Sequence, residues 1–110
     1  MKHIIYNEVD RIDLGDSEWV EIKRRMSYGD KQELLQCYMR QKAILSSECM
    51  NVKVETGNLC ALRLNVVAWS FKDEKNDAIP VNRDTIASLD EDTAKLILAE
   101  IDKRNPNPKA

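Results

Sequence analysis

The chain of 110 residues is one domain's worth of sequence, and its 43% apolar and 33% charged residues, with three Gly and three Pro, exclude collagen-like, linker-like and disordered classes. Seventeen Lys and Arg against nineteen Asp and Glu leave a net charge of −2, which gives no general attraction to nucleic acid or to an anionic membrane. No apolar run approaches the roughly 20 residues that span a bilayer, and the opening Met1-Lys2-His3-Ile4-Ile5-Tyr6-Asn7 is too short for a signal-peptide core, so a cytoplasmic location is expected.

Residues 3–14 read as extended. His3-Ile4-Ile5-Tyr6 is β-prone, and Arg11-Ile12-Asp13-Leu14 alternates polar with apolar. Gly15-Asp16-Ser17 supplies turn chemistry, and Trp19-Val20-Glu21-Ile22-Lys23 is again β-prone. The pattern predicts a β-hairpin, Arg11–Leu14 against Trp19–Lys23. Two strands are marginal alone, so the hairpin must pack on the helices C-terminal to it.

Ser27 can cap a helix, with Asp30 in the reciprocal position of a capping box. That helix is expected to reach about Leu45, with Leu34, Leu35, Tyr38, Met39 and Leu45 on its apolar face. From Ser46 to Thr56, Met50, Val52 and Val54 alternate with polar residues, which predicts a short strand or an ordered loop, with a helical continuation as the rival.

Thr56-Gly57-Asn58 offers caps for a second long helix, Asn58 to Phe71. Leu59, Leu62, Val66 and Trp69 form one apolar row, and Cys60, Leu64, Val67 and Phe71 another. A helix apolar round most of its circumference is buried, so this is read as the central helix. A long buried strand is the alternative, because Val66 and Val67 are β-branched. A polar loop spans 72–82. Asn82 then caps a short helix, Arg83 to Ser88, and Asp90 caps a third long one, Glu91 to about Lys103, with Ala94, Ile97, Leu98 and Ile101 inward. Residues 105–110 read as a flexible tail. The expected fold is mainly α: three main helices and one short one, with an N-terminal β-hairpin as a minor component. It forms a single domain over 1–104, with a hairpin region 3–23 and a helical region 27–104.

No catalytic residue, cofactor site or metal site is indicated. His3 is the only histidine, and no P-loop, G-x-S-x-G, GxGxxG, HExxH or calcium loop is present. Asp73, Glu74 and Asp77 lack calcium-ligand spacing and read as a solvated turn. Cys37, Cys49 and Cys60 are odd in number and spaced by 12 and 11 residues. They read as reduced, buried or half-buried thiols, not as a disulfide framework or a zinc site. The helices at 83–88 and 91–103 adjoin as in a helix-turn-helix, but the second opens on Asp90-Glu91-Asp92, which repels phosphate. Lys23-Arg24-Arg25 reads as a solvated stretch. Among the aromatics, Trp69 is expected in the core, while Trp19 and Tyr28 are the candidate partner-binding residues.

The order of parts is similar to the tail assembly chaperone-like family of long-tailed phages. The likeness is carried by Glu18-Trp19-Val20-Glu21-Ile22-Lys23, then Met26-Ser27-Tyr28-Gly29-Asp30, then Val66 to Glu74 (V-V-A-W-S-F-K-D-E), then Ile79 to Leu89 (I-P-V-N-R-D-T-I-A-S-L) and a last amphipathic helix. It covers most of residues 10–104. The resemblance implies a non-enzymatic protein of the host cell cytoplasm that binds the long, helical tape measure protein before tail-tube subunits assemble round it. From the charge balance and the absence of cofactor motifs, no nucleic-acid partner, no membrane partner and no cofactor are expected. A small structural virion subunit of the tail or connector, or a host-targeting inhibitor or adaptor, is the alternative.

Overall fold

Asp16 and Ser17 carry positive φ angles of 52° and 64°. Two successive residues in this region match the right-handed twist of flanking strands and close a tight hairpin. The Gly15 N–H donates to Asp13 Oδ1 at 2.9 Å, bracing the same turn. The computed structural model, which describes residues 8–45 and 56–106, accordingly opens with strand β1 (Val9–Gly15) antiparallel to β2 (Glu18–Lys23). The hairpin is as expected, but it does not stand alone. A third strand, β3 (Val66–Trp69), pairs antiparallel with β2, giving a sheet of order β1-β2-β3.

The expectation of a mainly α domain is therefore corrected. Among the described residues the fold is α+β: this sheet and four helices, α1 (Tyr28–Leu45), α2 (Gly57–Asn65), α3 (Arg83–Ala87) and α4 (Glu91–Arg104). The divergence lies in the predicted helix from Asn58 to Phe71. Helix α2 ends at Asn65, and Val66 turns extended at φ −73° and ψ 123°. The chain then pairs with β2, with Val20 opposite Trp69 and Ile22 opposite Val66. A bulge leaves Val67 unmatched, so Val66 and Trp69 both face the core although they are three residues apart. Trp69 is buried as expected, from a strand and not from a helix.

The remaining elements start where their caps dictate. The Thr56 side chain accepts from the Leu59 N–H and opens α2. Asn82 and Thr85 form a reciprocal capping box on α3, and Asp90 accepts from the Thr93 N–H to open α4. The strand, loop and helix readings of 46–56 lie outside the described residues, apart from the Thr56 cap; so do the His3–Tyr6 run and residues 107–110 of the tail.

One face of the sheet packs on the helices. Val20, Ile22, Val66 and Trp69 meet Leu62 of α2, Ile86 of α3, and Ile97 and Ile101 of α4 in a single apolar core. Fully burying a side chain of this size contributes about 1.5–3 kcal/mol, so these residues dominate the fold's stability. The two ends of the described chain are tied together on its edge. Asp10 of β1 takes Arg104 at 2.8 Å and Arg24 at 3.0 Å, and Arg104 also reaches Glu100. The hydrogen bond from Arg104, then that from Arg24, hold the Asp10 carboxyl below its ordinary range. Nearby, the Met26 N–H donates to Asn105 Oδ1 at 2.9 Å, fixing the approach to α1.

Candidate functional site

Helix α1 is 18 residues long, about 27 Å at 1.5 Å per residue. It packs against α2 and touches the other elements little. Its inner face is narrow. Cys37 is buried there against Cys60 and Leu64, with Leu34 packed at the margin. The Arg63 guanidinium pairs with Glu33, the Gly57 N–H donates to Gln41 Oε1, and Lys23 at the end of β2 pairs with Asp30. These contacts fix the rotation of the helix.

That rotation corrects the predicted apolar face. The sequence pattern turns Leu35, Tyr38 and Met39 inward with Leu34, yet Leu35 is 51% and Met39 62% exposed, and Tyr38 is exposed as well. At about 100° per residue, Leu34, Tyr38, Leu35 and Met39 follow one another round the helix over roughly 140°. An apolar arc therefore climbs from the body of the protein to the outer crest of α1. Its inner margin opens on a groove of about 300 Å³ between α1, α2 and α4. Leu34, Tyr38, Ala61, Leu98 and Ile101 give the groove its apolar lining, and Lys31 and Asp102 place one charge of each sign beside it.

The two partner-binding candidates lie apart in the fold. Tyr28 opens α1 and is 79% exposed, on the same side of the helix as Leu35 and Met39. Trp19 sits at the turn end of β2, opposite Asp13. The Arg11 guanidinium lies 3.9 Å from its ring centroid and also pairs with Glu21, so Trp19 is half-buried on the outer face of the sheet. Tyr28 thus belongs to the apolar surface of α1, and Trp19 to a separate, covered surface.

The cysteines depart from expectation. Cys37 of α1 and Cys60 of α2 form a disulfide, with their Cα atoms 6.5 Å apart. The reading of reduced thiols is corrected for this pair. Packing of α1 on α2 brings the two together across a sequence separation of 23, which spacing alone does not reveal. Cys49 lies outside the described residues.

Among the described residues, no three His, Cys, Asp or Glu side chains converge in the manner of metal ligands, and no helix is long and apolar enough to cross a membrane. Comparison with protein-family models, curated proteins and solved structures finds no match, so function has to be read from this chain's own surface.

Proposed function

We propose that this chain is a non-enzymatic tail assembly chaperone of a long-tailed phage. In this reading it holds a helical segment of the tape measure protein along the groove beside α1. The observation that carries the proposal is the apolar arc of Tyr38, Leu35 and Met39, exposed next to a groove floored by Leu98 and Ile101. An amphipathic helix binds such a surface through anchors three, four and seven residues apart. The partner in this reading is the one implied by the resemblance of most of residues 10–104 to the chaperone-like family. A very long helical chain with exposed apolar stripes aggregates unless it is covered. Many copies bound along one chain add avidity, so each groove can bind modestly.

Co-expression with the tape measure protein tests this. The wild-type chain should raise the partner's soluble fraction severalfold, and Leu35→Glu with Met39→Glu should abolish the effect while leaving the chain folded. Unchanged solubility with the wild-type chain contradicts the reading. Recovery of the chain in purified particles would favour the virion-subunit alternative.

A further inference from the structure

A second concavity, sharing no residue with the α1 groove, opens where the turn end of the sheet meets α3 and α4. Its volume is about 470 Å³. Trp69, Phe71, Ile79 and Leu89 line it, and all four belong to or pack against the main core. The floor is rigid. The Trp69 Nε1–H donates to the Ile79 carbonyl at 2.7 Å, and the Trp69 and Phe71 rings are tilted against each other with centroids 5.2 Å apart. The polar groups beside it are largely committed to the protein. Thr85 Oγ1 donates to the Pro80 carbonyl, and Ser88 Oγ to that of Asp84.

The charge on the rim has one sign. Among the described residues, Glu18 and Asp90 are the charged ones lining the cleft. Asp90 caps α4, so the positive end of that helix offsets part of its charge. Glu18 makes no ion pair among the described residues and stands as the uncompensated charge. Residues 72–92, which supply most of the lining, hold seven acidic and three basic side chains, a net of −4 in a protein of net −2. An apolar floor beneath an acidic rim selects against anions and purely apolar chains alike.

We propose that this cleft is a docking socket for a basic amphipathic segment of a protein partner. The segment seats one large apolar side chain on Trp69 and Phe71, with a lysine or arginine beside it at Glu18 and Asp90. The cleft is open on one side, which suits a side chain projecting from a backbone that stays outside. The size falls in the range of about 300–1,000 Å³ found for pockets that accept large ligand groups. The inference is independent of the α1 reading, since the two surfaces share no residue.

The test uses the full chain and two synthetic amphipathic peptides with the same leucine and phenylalanine positions, one carrying lysine and the other glutamate at the polar positions. Binding is followed by NMR through the Trp69 indole N–H and the amides of Leu89 and Thr93. The lysine peptide should shift these signals saturably, and the glutamate peptide should not. Glu18→Gln with Asp90→Asn keeps the shape and the helix cap but removes both charges. It should weaken lysine-peptide binding about three- to tenfold, the yield of two partly exposed ion pairs. Leu35→Glu with Met39→Glu should leave that binding unchanged. Equal binding of the two peptides, no shift at Trp69, or an undiminished affinity in the charge-neutral variant would overturn the proposal.

Discussion

The ring of Tyr38 lies against Gly57 so closely that a Cβ at position 57 would overlap its ring carbons. The contact joins the middle of α1 to the first residue of α2, beside the hydrogen bond from the Gly57 N–H to Gln41 Oε1 at 2.8 Å. Gly57→Ala must therefore push Tyr38 off α2, with an expected loss of about 1–3 kcal/mol. Urea unfolding measures the loss. Gly57→Ala combined with Tyr38→Ala should lose less than the two single changes summed, because the overlap is gone. Strict additivity would mean the residues do not touch.

Asn65 is completely buried at the end of α2. Its amide N–H donates to the Ala61 carbonyl at 2.7 Å, but among the described residues its Oδ1 has no partner. An unsatisfied buried acceptor costs about 1–3 kcal/mol. Asn65→Ala removes the orphan along with the side chain and should change stability by less than about 1 kcal/mol. Asn65→Asp places a charge at the same site and should cost at least about 2 kcal/mol at neutral pH. Thermal melts of both variants decide the matter; equal effects would show that the side-chain oxygen is solvated.

The Asp10 carboxyl is held below its ordinary value, first by Arg104 and then by Arg24. A carboxyl whose folded pKa lies below its unfolded one stabilises the fold above the unfolded value, and that contribution is lost as pH falls through the folded value. Stability should therefore decline as pH falls below the ordinary aspartate value of about 3.9, in part through Asp10. Asp10→Asn should be less stable at neutral pH and show a shallower decline. A parallel profile for variant and wild type would mean that the Asp10 ion pairs do not contribute.

The Cys37–Cys60 disulfide closes a sequence separation of 23, a loop whose chain entropy corresponds to about 3 kcal/mol. Cys37→Ser should lower stability by that order under oxidising conditions and change little in the presence of a thiol reductant. Peptide mass mapping of the unreduced protein should recover Cys37 and Cys60 linked. Three free thiols in the purified, air-exposed protein would contradict the pairing.

Caps and turns are readable from the sequence because their chemistry is local. Thr56, Asn82 and Asp90 open α2, α3 and α4 through side-chain hydrogen bonds that need only neighbours. The hairpin is readable for the same reason. The passage from α2 to β3 is not. Val66 and Trp69 share a buried face at a spacing of three, which is the signature of a helix, yet a bulge at Val67 produces the same spacing in a strand. Only pairing with β2, more than forty residues earlier, distinguishes the two. The exposed face of α1 escapes the sequence pattern for a related reason. Its apolar residues spread round much of the helix, and long-range contacts at Cys37 and Glu33 select which part turns inward. Of the partner-binding candidates, Tyr28 lies on the exposed apolar surface of α1 that is proposed to hold the partner. Leu98 and Ile101 of the groove read only as core in the sequence, because their exposure to it depends on how far α1 stands from α4.

Hydrogen–deuterium exchange on the purified chain, with and without a helical segment of the tape measure protein, tests the proposed role of the α1 groove most directly. Exchange is predicted to slow in α1 around Lys31 to Lys42 and in α4 around Leu98 to Arg104, and the protection to be lost when Leu35 and Met39 are changed to Glu. Unchanged exchange in both helices at saturating partner, or protection confined to the outer face of the sheet around Trp19, would contradict that role.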